Sequence, residues 1–335
     1  MSSQQAQQGA AILAALLTVA LVAGVSAAAF WQQWRSMEVE HNQRQQLQSQ
    51  WLIAGAMDWA RTRVGEDGAR SPGLDHNGEA WAEPVQAASL SEFVQRRRPL
   101  AGAQPEPVRS DEVLLDLQIS DAQGRLNVLN LLEGQGLSPP WLAVFGRLFA
   151  ILGLPDAELQ RLVGQLRLAN LGTLSGGATP SAPSPLVPTR QADLAWLGLA
   201  PATIEALSPH ISLLPGPSPV NLNTAGAPVL QAVLNMPLAQ VQQLMAKRQA
   251  RPFAQLADAG LHTPNDQMQS VSSHFFEVQL RLWRASGAEL ARQEHALLQR
   301  DGEDVRTLWQ RRLPSAALTP PALRSPTSTT HRSPP

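Results

Sequence analysis

The stretch GAAILAALLTVALVAGV, residues 9–25, decides how this chain is built, because it is apolar along its whole length. The chain has no charged side chain before Arg35, and Thr18 and Ser26 are the only polar side chains among the 23 residues from 9 to 31. As a helix, 23 residues span about 34 Å, enough to cross the hydrocarbon core of a bilayer. The pattern favours a retained membrane anchor over two alternatives, a cleaved secretory signal and a buried core helix.

The flanks of this segment disagree about its orientation. Trp31 and Trp34 follow the apolar run, where an interfacial aromatic belt is expected. The leading segment has no Lys or Arg, whereas Arg35 and Arg44 follow the run. Charge counting alone would therefore put the bulk of the chain in the cytoplasm.

Composition narrows the classes of function. The 335 residues contain 26 Lys+Arg and 27 Asp+Glu, a formal net charge of -1, so no global basic field favours nucleic acid. The absence of cysteine excludes disulfides and thiolate chemistry and is compatible with an oxidising compartment. The seven histidines are scattered without ligand-like spacing, which argues against a histidine metal site.

No arrangement of nucleophile, base and oxyanion donor is recognisable, so we expect a protein that is not an enzyme. The acidic pairs Glu66-Asp67, Asp111-Glu112 and Glu303-Asp304 are expected in solvated turns. The run Arg96-Arg97-Arg98 is expected in an exposed loop.

Periodicity predicts an α+β fold in which a sheet begins early and finishes late. The apolar helix continues without Pro or Gly to about residue 50 and ends in the turn-rich segment 65–78. A strand is predicted at 112–120, and an antiparallel meander from 271 onward. Helices are predicted at 137–168 with a break at 153–155, and at 192–197, 201–207, 227–234 and 238–248. Asn223 or Thr224 is the predicted N-cap of the helix at 227–234.

These elements, together with the motifs described below, divide the chain into seven predicted parts. The predicted parts are a leader (1–9), a transmembrane segment (10–31), the first part of the core (32–123), a first helical subdomain with a Pro/Ser/Gly loop at 171–188 (124–215), a second helical subdomain (216–270), closing strands (271–312) and a disordered tail (313–335).

The most specific internal pattern lies in the second helical subdomain. The run VNLNTAGAPVL at 220–230 contains Asn221, Asn223, Thr224 and Ala225, and RQARPF at 248–253 ends with Pro252 and Phe253. Together they resemble a helix-hairpin-helix. DNA-binding hairpins need glycine for close phosphate approach, but here the hairpin is LNMPL, with no glycine and with a proline. The motif is therefore predicted to serve packing.

Four motifs in order resemble the K-type minor pseudopilins of type II secretion over nearly the whole chain. They are Gly9-Ala10 as a prepilin-peptidase site, Asp75-x-x-x-Glu79-x-Trp81, the GRLNVLNL segment with Asn127 and Asn130, and the N-x-N-T-A segment followed by SHFFEV at 273–278. The resemblance implies a long anchor helix, an antiparallel sheet domain and a large all-α insert of two SAM-like, helix-hairpin-helix-like subdomains.

The resemblance also gives a meaning to Ala14. Counting from Ala10, Ala14 is the fifth mature residue, where ordinary pilins carry Glu. K-type subunits lack this carboxylate, which is costly in lipid unless compensated. The resemblance therefore implies a subunit at the tip of a short periplasmic filament.

The resemblance further implies partners and a location. The partners are minor pseudopilins of the I and J type, the major pseudopilin, and the secretin or secreted cargo above the tip; nucleic acid is not one of them. The location is the inner membrane, spanned once, with the C-terminal bulk in the periplasm. Relatives bind calcium, but the sequence assigns no calcium ligands. A type IV minor pilin and a membrane-tethered DNA receptor remain as alternative functions.

Overall fold

A computed structural model describes residues 3–88, 93, 113–174, 185–261, 264–284 and 289–313. Its helices are α1 (Ser3–Arg70), α2 (Pro139–Ile151), α3 (Asp156–Leu174), α4 (Pro201–Leu207), α5 (Ala227–Leu234) and α6 (Leu238–Ala250). Its strands are β1 (Val85–Ala88), β2 (Val113–Asp121), β3 (Leu126–Asn127), β4 (Leu132–Glu133), β5 (Gly136–Leu137), β6 (Ile211–Ser212), β7 (Val220–Asn221), β8 (Gln269–Ser270), β9 (Phe275–Arg284), β10 (Glu289–Asp301) and β11 (Asp304–Leu313). Short 3-10 helices lie at Ala122–Gly124, Val128–Leu131, Gln191–Leu197 and Leu256–Ala259. The coarse prediction of α+β is confirmed.

The predicted long amino-terminal helix is confirmed. α1 runs for 68 residues and ends at Arg70, inside the turn-rich segment that predicted its end. The chain divides into two compact units, one up to Gly55 and one from Ala56 onward.

The first unit exposes apolar side chains. The segment Ala15–Glu40 overlaps the predicted anchor and extends beyond its end. Its most apolar part has a mean hydropathy of 1.7 and is not buried. Leu21, Phe30 and Trp34 are all more than half exposed. Since apolar surface of this extent is unfavourable in water, the segment fits a membrane span.

The second unit is built on a five-stranded antiparallel sheet with the strand order β1-β2-β9-β10-β11. The early strand β2 pairs along its length with the late strand β9, so that Ile119 lies opposite Val278. The prediction of a sheet that begins early and finishes late is thus confirmed. β1 was not predicted, because four residues are too few for a periodic signal.

The helical insert lies between β2 and β9 and has its own core. One cluster of buried side chains extends from Leu126 through Phe145 and Leu230 to Val271, so the two predicted subdomains share a hydrophobic core. α2, α3, α4, α5 and α6 agree with the predicted helices, and Gly153, in a left-handed conformation, separates α2 from α3. α3 continues to Leu174, so the predicted start of the Pro/Ser/Gly loop at 171 was wrong.

The prediction of an all-α insert was also wrong. Three pairs of two-residue strands lie within it: β3 with β6, β4 with β5, and β7 with β8. β3–β6 and β7–β8 are parallel pairs that join the beginning and end of the first and second predicted subdomains, respectively. Two-residue strands carry no periodic sequence pattern, so only the tertiary contacts reveal them.

The predicted N-cap of α5 was wrong as well. The cap is Gly226, with proline in the first turn of the helix. Asn223 and Thr224 use their side chains elsewhere, as described below.

Several predicted segments lie outside the described residues. They are most of the Pro/Ser/Gly loop (175–184), the Arg96–Arg98 run, Asp111-Glu112 and the tail from 314 onward.

Candidate functional site

Asn221 is the centre of a buried polar junction between the insert and the sheet. Its Nδ2 donates to the Asp75 carbonyl oxygen at 3.1 Å, to Asp121 Oδ2 at 3.0 Å and to Ser273 Oγ at 3.0 Å. Its Oδ1 accepts from the Asn223 backbone N–H at 2.9 Å. One side chain thereby contacts the segment after α1, the end of β2 and the segment before β9.

Asp121, the last residue of β2, is the acidic member of this junction. Its Oδ2 accepts from Thr224 Oγ1 at 2.5 Å and Ser273 Oγ at 2.6 Å, and its Oδ1 accepts from the Gln123 N–H at 2.7 Å. Burial raises the pKa of Asp121, and the hydrogen bonds from Ser273 and Thr224 oppose that rise. The carboxyl group therefore joins strand and insert through several donors at once.

The N-x-N-T-A and P-F segments hold each other. Asn223 Oδ1 accepts from the Phe253 N–H at 2.9 Å, and Asn223 Nδ2 donates to the Phe253 carbonyl at 3.0 Å. Pro252 is partly buried, while Phe253 and Ala225 are buried in the insert core. An amide side chain suits this place because it carries one donor and one acceptor side by side.

Asn130 repeats this arrangement in the first subdomain. Its Oδ1 accepts from the Ser218 N–H at 2.9 Å, and its Nδ2 donates to the Ser218 carbonyl at 2.8 Å. Asn127 accepts from the Leu214 N–H at 3.1 Å and donates to the Gly216 carbonyl at 2.8 Å. The two asparagines of the GRLNVLNL motif therefore hold the connection between the two subdomains.

The D-x-x-x-E-x-W motif lies beside the same junction. Asp75 is fully buried and accepts from Arg300 Nη2 at 2.6 and 2.7 Å and from the Ser273 N–H at 2.7 Å. Glu79 Oε2 accepts from Trp81 Nε1 at 2.7 Å, and the Trp81 ring packs edge-on against Phe276 at 5.1 Å. The motif thus anchors the segment that follows α1 to the sheet.

The expectation that Glu66-Asp67 lies in a solvated turn was wrong for Asp67. This side chain is buried in the last turns of α1, and its Oδ2 lies 3.4 Å from Arg300 Nη1. Glu66 is exposed and pairs with Arg70. Glu303, in the turn between β10 and β11, is exposed as expected.

Carboxylate oxygens of Asp67, Asp75 and Glu79 lie within 4.8 Å of one another, which raises the question of calcium. The arrangement does not fit that ion. The Arg300 guanidinium already occupies the space beside Asp75 and Asp67, and calcium takes six to eight oxygen ligands. The calcium expectation from the resemblance therefore gains no ligands from this cluster.

The hairpin between α5 and α6 has the geometry of a packing unit. Asn235 takes the left-handed conformation that glycine supplies in phosphate-binding hairpins. Arg248 Nη1 donates to the Leu222 carbonyl at 2.5 Å, and Lys247 Nζ donates to the Asp258 carbonyl at 2.6 Å. Both cations are thus used inside the insert, and the geometry does not favour a DNA receptor.

The leader residues fall at the beginning of α1. Gly9, Ala10 and Ala14 are helical in the structure, but their surroundings are outside what the structure describes. The predicted cleavage after Gly9 and the missing Glu at Ala14 therefore remain predictions.

Sequence reasoning missed Arg300, Asp67 and Ser273. Arg300 lies among several arginines near the end of the chain, and nothing in its neighbourhood distinguishes it from an exposed strand residue. Ser273 is the first residue of the quoted SHFFEV segment, but no role was predicted for it. Their roles depend on partners 27 to 236 residues away in the chain, which a local pattern does not reveal.

Three comparisons with known proteins agree. A family model described as Type II secretion system (T2SS), protein K, matches residues 220–280. Type II secretion system protein K of Pseudomonas aeruginosa (strain PAO1) is 26% identical over 278 residues, covering 77% of this chain and 78% of the relative.

The fold is similar to a chain in the crystal structure of the GspK-GspI-GspJ complex from the enterotoxigenic Escherichia coli type 2 secretion system. The TM-score is 0.57 at 17% identity, with 82% of this chain and 99% of that chain covered. The resemblance to K-type minor pseudopilins of type II secretion that the motifs indicate is thereby confirmed: the chain is similar to protein K in sequence over most of its length, and its fold is similar to that of a chain in the GspK-GspI-GspJ complex.

Proposed function

We propose that this minor pseudopilin stands at the tip of the periplasmic pseudopilus, anchored in the inner membrane by α1, and helps to initiate or cap its assembly. The observation that carries the proposal is the insert between β2 and β9, which has its own hydrophobic core and is tied to the sheet by the polar junction. A body of this size on the sheet domain would block addition of another subunit above it.

The proposed partners are pseudopilins of the I and J type and the major pseudopilin, with secretin or cargo above the tip. Support for the I-type and J-type partners comes from the similar chain, which belongs to the GspK-GspI-GspJ complex. The role is non-enzymatic assembly. The buried carboxylates Asp75 and Asp121 are used in hydrogen bonds that join parts of the fold, which supports a structural role.

The finer architecture also belongs to the proposal. We infer that the two halves of the insert are helix-hairpin-helix-like subdomains kept for packing, and that the leader is removed between Gly9 and Ala10. The carboxylate missing at Ala14 suits a subunit that has no neighbour above it.

The capping role can be tested by removing the insert. Asp121 pairs with Phe276 in the antiparallel β2–β9 ladder, so the insert connects two adjacent strand ends. Replacing residues 122–275 with an Asn-Gly turn should preserve a folded sheet domain, because a two-residue turn can close an antiparallel pair. In cells that overproduce the major pseudopilin, this variant should give longer filaments than the intact chain. Unchanged filament length with a folded variant would contradict capping.

The membrane route needs a separate test. The mass of the chain extracted from membranes should correspond to a start at Ala10, as expected for prepilin-peptidase cleavage. A start near Ala28–Phe30 would indicate an ordinary signal peptide, and an intact Met1 would contradict both routes. A matched Gly9→Leu variant should remain uncleaved, because a larger side chain would clash in the peptidase.

A further inference from the structure

The end of α1 is pressed closely against the turn between β10 and β11. A Cβ added at Gly68 would lie 2.6 Å from the Gly302 carbonyl oxygen, and one added at Gly65 would lie 2.7 Å from the Glu303 carbonyl oxygen. Real Cβ atoms do not approach backbone oxygens this closely, so the two glycines permit the contact. The end of α1 therefore lies against the backbone of this turn without room for a side chain between them.

Arg300 is buried beside this contact. From β10 it donates through Nη1 to the Val64 carbonyl and Asp67 Oδ2, both at 3.4 Å, and through Nη2 to Asp75 at 2.6 and 2.7 Å and to the Ser273 carbonyl at 2.9 Å. Its guanidinium also lies 4.8 Å from the centre of the Phe276 ring. One cation thus joins α1, the segment after it and the sheet.

The charges at this place are unbalanced. Asp67 faces Arg300 from β10, and it faces Asp75, His76 and Glu79 from the segment after α1. Burial lowers the pKa of His76, so that this ring is neutral at neutral pH. Three carboxyl groups therefore share one permanent cation.

Asp67 is the least firmly held of the three carboxyl groups. Asp75 has short hydrogen bonds from Arg300 and Ser273, and Glu79 Oε2 accepts from Trp81 and from the His76 N–H at 2.9 Å. Among the described residues, the Asp67 carboxyl group has one hydrogen-bond partner, Arg300 Nη1, at the long distance of 3.4 Å. Burial, followed by the charges of Glu79 and Asp75, raises the pKa of Asp67 to about 6.

We propose that Asp67, Asp75, Glu79 and Arg300 form a proton-controlled joint between the end of α1 and the β10–β11 turn. With Asp67 protonated, the joint carries less repulsion and the helix end is held firmly. With Asp67 ionised, the excess negative charge loosens it. The proposal rests on this geometry and does not depend on the position of the chain in a filament.

The direction of the pH effect follows from the raised pKa. In the folded chain Asp67 holds its proton up to about pH 6, whereas in the unfolded chain it loses the proton near its ordinary value of 3.8. The folded state thus binds more protons between these values, and stability falls as pH rises through them. From pH 5 to pH 7.5, Asp67 alone should lower the folding equilibrium constant about tenfold.

The test compares the full chain in detergent with two variants, in buffers containing a chelator. Asp67→Asn should remove the tenfold fall between pH 5 and pH 7.5 in chemical denaturation. In the intact chain, amide hydrogen exchange at residues 64–70, corrected for its intrinsic pH dependence, should become about tenfold faster over the same pH range. Asp67→Asn should abolish this change. The control is Glu66→Gln, which changes the exposed neighbour paired with Arg70 and should leave both pH profiles unchanged.

Equal pH profiles for the intact chain and Asp67→Asn would overturn the proposal. If Asp67→Asn fails to fold, Glu79→Gln provides the second measurement. Removing the Glu79 charge should lower the pKa of Asp67 and shift the midpoint of the exchange transition to lower pH. An unshifted midpoint in that variant would also overturn the proposal.

Discussion

The amino-terminal half of α1 and the junction beneath the insert arrange polarity in opposite ways. In the helix, apolar side chains such as Leu21 and Phe30 are exposed along a segment without charge. In the junction, Asp121, Asn221 and Arg300 are buried, and hydrogen bonds hold each of them. Each arrangement is unfavourable for an ordinary soluble domain. Exposed apolar side chains need lipid or other helices around them, whereas buried polar groups need matched hydrogen-bond partners.

The difference teaches where specificity resides in this protein. An exposed apolar helix is stabilised by lipid or by other helices, and any large apolar residue serves that purpose. A buried polar junction tolerates only residues whose donors and acceptors match their partners, because an unmatched buried group costs about 1–3 kcal/mol. The junction should therefore respond to single substitutions far more strongly than the helix.

The largest effect on the free energy of unfolding is expected from Arg300→Leu. The substitution leaves Asp67 and Asp75 buried without their cation, which should destabilise the chain by about 3–5 kcal/mol. Chemical denaturation of the full chain in detergent measures the change. The control is Arg306→Leu, an exposed side chain on the edge strand β11, with an expected effect below about 0.5 kcal/mol. Equal losses for both variants would contradict a special role for Arg300.

A smaller loss is expected from Asn221→Ala. The substitution removes a donor to Asp121 and Ser273 and an acceptor for the Asn223 N–H, at a cost of about 2–3 kcal/mol. The same denaturation experiment measures it. Asn235→Gly is the matched control, because Asn235 only needs a left-handed backbone, which glycine adopts freely. A loss below about 1 kcal/mol for Asn221→Ala would weaken the view that the junction is specific.

Gly68→Ala should cost about 1–3 kcal/mol, because the new methyl group would lie 2.6 Å from the Gly302 carbonyl oxygen and force the helix end away. Gly55→Ala is the control within the same helix, since no atom lies within 4 Å of its added Cβ. That variant should be neutral or stabilising by up to about 1 kcal/mol. The thermal midpoint of Gly68→Ala should fall while that of Gly55→Ala stays unchanged or rises, and an equal fall in both would contradict the close contact.

The second unit, from Ala56 onward, is called the head here. The smallest effect on the stability of the head is expected from Leu21→Lys in the exposed apolar segment. Insertion into the membrane should become less favourable by about 2.5–3.5 kcal/mol, since lysine at the centre of a span is costly. The denaturation midpoint of the head should not change. Fractionation into membrane and soluble pools measures the first effect. Loss of head stability in this variant would erase the distinction between the two regions.

Local patterns predicted much of the fold. The bounds of α4 and α5 were predicted to the residue, and the break at Gly153 separates two helices as expected. These elements follow from apolar periodicity and from proline and glycine, which act over a few residues. β1 and the two-residue strands of the insert were missed because they are too short to show a period.

The candidate site was predicted only in part. Asn127, Asn130, Asn221 and Asn223 were singled out as motif residues, but not the partners that they hold. Asp67 was assigned to a solvated turn because an acidic residue beside glycine is usually exposed.

By itself, the sequence determined the long apolar helix, the order of the main helices and of the four long strands, and the motifs that carry the family resemblance, because each depends on residues close together in the chain. Only the tertiary structure decided that Arg300 joins α1 to the sheet, and that Asn221 and Asp121 join the insert to it. Those contacts link residues about 100 to 236 positions apart. Pairing over such distances is set by how the core packs, and no local pattern encodes it.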